Sequence, residues 1–431
     1  MSKLDEKYMK RKNWYPLDNA AKIYPPISNP RRASTFSLTA VLTEDVDKDT
    51  LQQATNEILN RFVSFNVKLK RGIFWYYLEE NNRPFTVQEE PPFFLKYIDQ
   101  IENNGYLFRV FYKHNHITME VFHSLADGTG ALDVFKSLVF EYLLLSGKKV
   151  EGENKILTCF TPYTSDESND AFMKLCDKTK LKPEKEKNAF HTDGTPFNYD
   201  GCGIITGKIN TAELKTECKK YDATVTAYLS GLYMYCIYEN FIKGKKVNNK
   251  LVKLLVPINM RKIYDTKTLR NFAMFCRLGH NFEEEITLDE CIEICKNELK
   301  SGLDKEKLDA TAYSNVKQEK NWFLKIVPLF LKVIVLRLAY NYVGDNLHTA
   351  NVSNLGLVDL PESMKPYVTD FVFTLAPSYS CKTHLALIGY DDHITASFSR
   401  LFVENDLEKM FFTTLTSKGI SVEISSNYWE K

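Results

Sequence analysis

His123-Ser-Leu-Ala-Asp127-Gly128 joins two predicted elements of this 431-residue chain. Residues 117–122 alternate as a half-buried strand does, and residues 129 to about 145 have the spacing of a helix. We therefore expect His123 to project from the end of a strand. Because an imidazole has a pKa of about 6.5, His123 could take up a proton at neutral pH and is a candidate general base. The alternative is a structural histidine, with Asp127 capping the helix.

Strands and helices alternate on both sides of this motif, which predicts a mixed α/β fold. Before the motif we expect a helix at residues 47–62 and strands at residues 36–43, 67–69, 74–78 and 106–113. After it we expect helices at residues 211–221, 224–241, 288–299 and 405–417. The strands expected there lie at residues 203–209, 251–258, 349–352, 371–375, 384–390, 394–399 and 420–424.

The length of the chain and one charge-rich segment predict two lobes. A single hydrophobic core stops growing at about 250–300 residues. Residues 166–199 are rich in lysine and glutamate and also contain Pro183 and Pro196. We expect an N-terminal lobe over residues 1–165 that carries the motif, a linker over 166–199 and a C-terminal lobe over 200–431. The alternative is a long surface loop inside one domain.

Charge and cysteine content limit the classes of function. The formal net charge of +1 gives no electrostatic reason to expect nucleic-acid binding. The first residues lack the apolar stretch of a secretory signal, and nine scattered cysteines fit reduced thiols, so we expect a cytoplasmic protein. Cys291 and Cys295 share a helix face, but no further ligand stands at a zinc-like spacing. We expect buried thiols there and no metal site.

Residues 322–343 are almost as apolar as a membrane-spanning helix. Lys325, Pro328, Lys332 and Arg337 interrupt the segment, whereas a spanning helix needs about 20 apolar residues with few charges. Lys325 and Lys332 are seven residues apart and would share one face of a continuous helix. We expect a helix docked on the protein with a solvated stripe, and the alternative is peripheral contact with a membrane.

Three further motifs accompany the histidine motif. They are Val256-Pro-Ile-Asn259-Met-Arg261, Leu269-Arg-Asn-Phe272 and Val352-Ser-Asn-Leu-Gly356. In this order and at these separations they resemble the chloramphenicol acetyltransferase-like superfamily of CoA-dependent acyltransferases. That superfamily includes plant BAHD acyltransferases, condensation domains and fungal alcohol acetyltransferases. The resemblance spans nearly the whole chain and is nearest to bacterial alcohol-acetyltransferase-like proteins.

The resemblance implies two related lobes with an active-site tunnel between them. It implies that His123 is the catalytic base and that Asp127 is structural, paired with Arg261 of the Asn259-x-Arg261 element. Gly128 completes the motif. Phe122 stands where condensation domains carry a first histidine, and the Asp-Phe-Gly-Trp-Gly signature of the plant enzymes is absent.

The implied reaction transfers an acyl group, by expectation acetyl, from a CoA thioester to an alcohol or amine. His123 would remove the acceptor proton, so no covalent acyl-enzyme and no tightly bound cofactor are needed, and acyl-CoA is a co-substrate. Lys262 and Lys267 are available for its phosphates. Candidates to meet the oxyanion or line the tunnel are Ser353, Asn354 and Ser380, whereas His280, His384 and His393 lack a motif. A carrier-protein-dependent condensation-type enzyme and a non-catalytic binding module remain as alternatives.

Overall fold

The computed structural model describes residues 14–175, 186–198, 201–320, 322–340 and 344–427. The strands are β1 (Trp14–Pro16), β2 (Thr35–Leu42), β3 (Val67–Arg71), β4 (Tyr76–Glu80), β5 (Gln88–Glu89), β6 (Phe108–Lys113), β7 (His116–Phe122), β8 (Gly203–Asn210), β9 (Leu251–Asn259), β10 (Ala273–Asn281), β11 (Ala350–Leu357), β12 (Val368–Leu375), β13 (Thr383–Tyr390), β14 (His393–Arg400) and β15 (Val422–Ser426). The helices are α1 (Tyr24–Ile27), α2 (Lys48–Arg61), α3 (Gly128–Leu145), α4 (Thr211–Lys220), α5 (Val225–Phe241), α6 (Leu288–Gly302), α7 (Lys305–Lys320), α8 (Trp322–Ile326), α9 (Leu329–Ala339) and α10 (Asp406–Ser417).

The first sheet has five strands in the order β12-β2-β7-β6-β5. The histidine motif follows β7, which pairs antiparallel with both β2 and β6. Helix α2 begins where Asp47 accepts a hydrogen bond from the backbone N–H of Thr50 (2.8 Å), and it packs against α3. A separate three-stranded sheet has the order β1-β4-β3.

The second sheet has seven strands in the order β10-β9-β11-β13-β14-β8-β15. Helix α5, capped by Thr224, is apolar around most of its circumference and is accordingly buried, with Tyr228 and Tyr233 fully enclosed. It packs against α6 and α10 and against β9 of this sheet. The long β9–β10 pair is antiparallel and ends at Asn259 and Ala273, which places the Asn259-x-Arg261 element at the tip of the pair.

These elements confirm the predicted mixed α/β class, and two large hydrophobic cores lie beside the two larger sheets. One strand from late in the chain, β12, pairs with β2 and so belongs to the first sheet. The lobe boundaries at residues 165 and 199 stay predictions. Within the predicted linker, residues 176–185 and 199–200 lie outside the described part of the chain.

The apolar segment near residue 330 differs from the expected docked helix with a solvated stripe. Pro328, which cannot continue a helix, separates α8 from α9. The break removes the common face of the two lysines: Lys325 is exposed, whereas Lys332 is 6% exposed and donates to the carbonyl oxygen of Phe74 (2.9 Å). The outward side of α9 is apolar instead. Among the described residues, no helix is long and apolar enough to span a membrane.

Candidate active site

His123 follows the last residue of β7, as the strand-end prediction requires. Its backbone N–H donates to the carbonyl oxygen of Ser34 (2.9 Å), which extends the pairing of β7 with β2 by one residue. The ring of Tyr24 stacks on the imidazole with centroids 4.5 Å apart, and Phe36 contacts it edge-on at 5.3 Å. The two aromatic rings therefore hold the imidazole in one orientation.

A chain of two hydrogen-bonded side chains selects the tautomer of His123. The Nδ1 atom lies 3.0 Å from Oδ1 of Asn271, and Nδ2 of that same amide donates to Oδ2 of Asp18 (3.2 Å). The Asp18 carboxylate also accepts from the backbone N–H of Ala21 (2.7 Å) and faces the Arg270 guanidinium. Because this carboxylate meets only donors, the amide must direct its NH₂ toward Asp18 and its oxygen toward the imidazole. Nδ1 then carries the proton, and Nε2 carries the lone pair.

The protonation equilibrium of His123 also favours a neutral ring. Burial lowers the pKa of His123 below its ordinary value of 6.5, and the nearby Asp127 charge and the Asn271 hydrogen bond oppose that shift. Because the net direction is downward, the imidazole is mostly neutral at pH 7. A neutral imidazole with its lone pair on Nε2 has the protonation state of a general base.

Asp127 makes structural contacts. Its Oδ1 accepts from the backbone N–H of Gly130 (2.9 Å), which caps α3, and its Oδ2 accepts from the backbone N–H of Phe272 (2.7 Å). The same Oδ2 accepts from Nη1 of Arg261 (2.8 Å), the partner that the resemblance implies. The carboxylate therefore joins the start of α3 to the segment that carries Asn271.

Arg261 secures that segment from its other side. Its Nε donates to the carbonyl oxygen of Thr268 (2.8 Å), and its Nη2 donates to that of Arg270. Asn259 accepts from the backbone N–H of Arg261 (3.0 Å), which shapes the turn after β9. Asn259, Arg261 and Asp127 thus hold residues 268–272 against the start of α3.

The closest backbone approach at the start of α3 involves Gly130 and not the motif residue Gly128. A Cβ atom on Gly130 would come 2.2 Å from the carbonyl oxygen of Leu269, which is backbone and cannot move independently. At Gly128 a Cβ would approach the end of the Leu355 side chain at 2.7 Å, and this flexible group can turn away. Gly130 therefore permits the contact that brings Asn271 beside His123.

The candidate oxyanion residues lie in two different places. Ser353 and Asn354 lie on β11, two residues and one residue before Leu355, whose side chain approaches Gly128 at the start of α3. Asn354 donates to Thr226 (3.0 Å) and accepts from the backbone N–H of Gly356 (2.8 Å). Ser380 lies in the turn between β12 and β13, beside Ser378, which donates to Asp345. These contacts place Ser380 in a separate polar cluster, and the oxyanion roles stay predictions.

The three histidines that lack a motif, His280, His384 and His393, lie in strands, and two of them have protein partners. His393 Nε2 bonds the Asp370 carboxylate (2.8 Å), which raises the pKa of His393. Nδ1 of His384 accepts from the backbone N–H of Asn351 (3.0 Å), and burial lowers the pKa of His384 to about 3. His280 lies in β10.

The cysteine pair behaves as buried thiols. Cys291 and Cys295 are fully enclosed, and burial raises the pKa of Cys291 to about 12. The sequence analysis did not predict a second group of possible metal ligands. It comprises Asp345, His348 and Cys381, whose ligand atoms lie within 4.8 Å of one another. The Asp345 carboxylate accepts from Arg32, Tyr340 and Ser378, and the Cys381 thiol donates to two backbone carbonyls. Protein groups therefore satisfy the carboxylate and the thiol.

A cavity of about 270 Å³ lies near the end of β7. Phe122, which precedes His123, lines it together with Pro25, Arg71, Tyr76 and Tyr97. Its wall combines three aromatic rings with the polar side chains of Ser28, Arg71 and Gln100, so it could hold a small molecule that has both apolar and polar groups.

Asn271, Asp18 and Tyr24 were not predicted as site residues. Asn271 lies inside the motif 269–272, so the sequence could have marked it as a candidate site residue. Nothing in the sequence predicts its contact with the histidine. Asp18 and Tyr24 belong to no motif that the sequence analysis singled out. Their link to the site comes from contacts across about 100 to 250 residues of chain.

Comparisons with known proteins agree with this architecture. Residues 204–391 match the family described as "Alcohol acetyltransferase". TRI101 of Fusarium sporotrichioides, solved with coenzyme A and T-2, has a TM-score of 0.60 at 10% identity, over 97% of this chain and 100% of that chain. The TRI3 trichothecene 15-O-acetyltransferase of the same organism gives 0.58 at 9% identity, over 94% of each chain. Polyketide synthase associated protein 5 of Mycobacterium tuberculosis gives 0.58 at 12% identity, over 94% of this chain and 98% of that chain.

Comparison with curated proteins gives no match. At such low identities the structural likeness concerns the fold, and the family match adds the class: the protein is an acyltransferase. More narrowly, residues 204–391, fewer than half of the chain, match the alcohol acetyltransferase family, and this match confirms the resemblance drawn from the motifs. The matched segment contains Asn259, Arg261 and Asn271 but begins after His123. The role of the histidine therefore rests on geometry.

Proposed function

We propose that the protein transfers an acetyl group from acetyl-CoA to an alcohol or amine acceptor, with Nε2 of His123 as the general base. The observation that carries the proposal is the hydrogen-bonded chain from Asp18 through Asn271 to Nδ1 of His123. It leaves the lone pair on Nε2, where it can accept a proton, and the cavity lined by the preceding residue, Phe122, is a candidate acceptor site.

The reaction needs only proton transfer and a tetrahedral intermediate. Nε2 takes the proton of the acceptor hydroxyl as the oxygen attacks the thioester carbonyl, and the carbonyl oxygen becomes an oxyanion. When the intermediate collapses, the C–S bond breaks and the imidazolium returns its proton to the departing thiolate. The charges of Asp127 and Asp18 raise the pKa of His123 and thus stabilise the imidazolium between these steps.

Two observations support CoA as the donor. Structural neighbours were solved with coenzyme A or C8-CoA, including TRI101 and a starter condensation domain of rhizomide synthetase. In this chain Lys262 and Lys267 are exposed beside the Asn259-x-Arg261 turn, where cationic side chains could meet CoA phosphates. The donor, the acetyl group and the acceptor class are parts of the proposal.

The test measures free-thiol release from acetyl-CoA with a panel of primary alcohols and amines, and compares wild type with His123→Ala. The expected result is acceptor-dependent thiol release in wild type that the variant loses. Release only from an acetylated, pantetheinylated carrier protein would overturn the CoA assignment. No turnover with either donor would favour a binding module on the same fold.

A further inference from the structure

One surface of the protein is unusually apolar. Ten of the nineteen exposed large apolar side chains in the described residues belong to only three segments, residues 19–28, 71–78 and 322–340. Single exposed apolar residues are ordinary, whereas a concentrated group marks an interaction site.

Helix α9 supplies the largest part of this surface. Phe330, Ile334 and Leu338 recur every four residues and form one ridge, and Leu331 and Val335 form the ridge beside it. Phe330 is 66% exposed and Val335 is 63% exposed. Side chains this exposed project from the protein and do not line a groove.

The tip of the β3–β4 hairpin extends the surface. The backbone N–H of Leu329, the first residue of α9, donates to the carbonyl oxygen of Ile73 (2.8 Å), and Lys332 donates to that of Phe74. Both hairpin residues expose their side chains, Ile73 by 76%. We use the name apolar face for Ile73, Phe74, Ile326, Phe330, Leu331, Ile334, Val335 and Leu338.

The charged residues within the three segments have one sign. Residues 19–28, 71–78 and 322–343 contain five cationic side chains, Lys22, Arg71, Lys325, Lys332 and Arg337, and no Asp or Glu. The whole chain has nearly equal numbers of both signs, with a net charge of +1. The positive charge is therefore local, and it complements an anionic surface.

We propose that the apolar face docks on the surface of an anionic phospholipid membrane. The apolar side chains would enter the boundary between headgroups and acyl chains, while the exposed cations Arg71, Lys325 and Arg337 meet lipid phosphates. A second copy of the chain is a poorer occupant, because a two-fold contact would place the same positive residues against each other. A fluid lipid surface also accepts projecting side chains without a matching groove.

The position of the apolar face relative to the candidate active site fits this proposal. Arg337 of α9 donates to the carbonyl oxygen of Pro26 (2.7 Å) in α1, and the first residue of α1, Tyr24, stacks on His123. The cavity near Phe122 is lined by Arg71, two residues before Ile73 of the apolar face, and by Pro25, next to the Pro26 that Arg337 contacts. A docked molecule would thus hold this cavity near the lipid, where apolar compounds are concentrated.

Flotation of the protein with vesicles tests the proposal by binding alone, so its result is independent of the proposed activity. The vesicles are phosphatidylcholine, either pure or with about one third phosphatidylglycerol. Wild type should float with the anionic vesicles, and Phe330→Ser/Val335→Ser should reduce its partition coefficient by roughly tenfold or more. Lys325→Glu and high salt should both weaken binding. The matched control is Phe160→Ser/Ile424→Ser, two exposed apolar residues outside the apolar face.

Sedimentation velocity without lipid tests the alternative that a second copy of the chain covers the apolar face. The lipid proposal expects a monomer for wild type and for Phe330→Ser/Val335→Ser. Equal flotation of wild type and that variant, or no flotation of either, would overturn the proposal. The proposal would also be overturned if wild type were a dimer and the Phe330→Ser/Val335→Ser variant were a monomer.

Discussion

At the scale of single residues, the site depends on which nitrogen of His123 carries the proton. Asn271 accepts from Nδ1 only because Asp18 fixes the orientation of its amide. The stacked ring of Tyr24 prevents the imidazole from turning away. Under the proposed function, Asn271 and Asp18 are therefore positioning residues that act through His123.

Replacing His123 by alanine should lower kcat/KM by about 100-fold or more, because general base catalysis is worth at least that much. Thermal unfolding should change little, since neither Asp127 nor Arg261 bonds to the imidazole. His280→Ala is the matched control and should keep full activity. A folded His123→Ala variant with near-normal turnover would refute the assignment.

The pH dependence of kcat/KM should report the depressed pKa of His123. The active form is neutral, so activity should rise with pH through a pKa below 6.5 and be level by about pH 7.5. The measurement is a rate profile from about pH 5 to 8 at saturating donor. A rise centred above pH 7 would mean that a different group, or a histidine with a raised pKa, is the base.

Asn271→Leu should lower kcat by about tenfold to 100-fold with little change in KM, because both tautomers of His123 become accessible. The hydrogen bond from Asn271 raises the pKa of His123, so its loss should move the rise in the rate profile to lower pH. A purely structural role for Asn271 would leave the profile in place, and such a result would count against the tautomer argument.

At the scale of elements, the start of α3 is joined to residues 268–272 by a nearly buried ion pair. Asp127 both caps α3 and accepts from Arg261 and Phe272. Gly130 lets the backbone of Leu269 approach the same turn. The position of Asn271 beside His123 depends on both contacts.

Asp127→Ala should destabilise the protein by about 3–5 kcal/mol, because Arg261 loses its anionic partner in a partly buried site. Asp127→Asn should also lower the melting temperature, since its NH₂ group would face an N–H donor of Gly130, Phe272 or Arg261. The check is thermal unfolding beside activity. If Asp127→Asn kept full stability and lost only turnover, Asp127 would belong to the catalytic machinery.

Gly130→Ala should cost about 1–3 kcal/mol, because the new methyl group overlaps the Leu269 carbonyl. Gly128→Ala is the paired comparison and should cost less, since only the Leu355 side chain must move. Urea denaturation of both variants measures the difference. Equal or reversed costs would contradict the close approach at Gly130.

At the scale of the whole molecule, the site draws on parts of the chain that are far apart in sequence. Asp18 and His123 come from the first half, and Arg261 and Asn271 from the second. Strand β12 joins the first sheet from near the end of the chain. A ligand that contacts both halves should therefore stabilise the folded protein as a whole.

Under the proposed function, CoA should raise the melting temperature in a concentration-dependent manner. Free CoA at about 100 times its Kd adds about 2.7 kcal/mol to the free energy of unfolding. Lys262→Glu/Lys267→Glu should weaken the effect if these lysines meet the phosphates. Unchanged melting with CoA, together with stabilisation by a pantetheinylated carrier protein, would point to the carrier as donor.

Local pattern was enough to determine the mixed α/β class and most of the elements, because the periodicity of apolar residues is itself local. The 224–241 helix and the strand before His123 are examples. Helix α7 was missed because its sequence is mostly polar and its buried row, Leu308, Ala312 and Val316, is narrow. The motifs, through the family resemblance, also predicted the pairing of Asp127 with Arg261.

Only the tertiary structure decided how Asp18, Asn271 and Tyr24 surround His123, that Gly130 meets Leu269, and that the outward side of α9 is apolar. Each of these depends on contacts between segments far apart in the chain, whose distances follow from packing and leave no periodic trace in sequence. The tautomer of His123 is the clearest case. Nothing within its own motif specifies it, because the amide that does so is 148 residues away and is itself oriented by a carboxylate near the start of the chain.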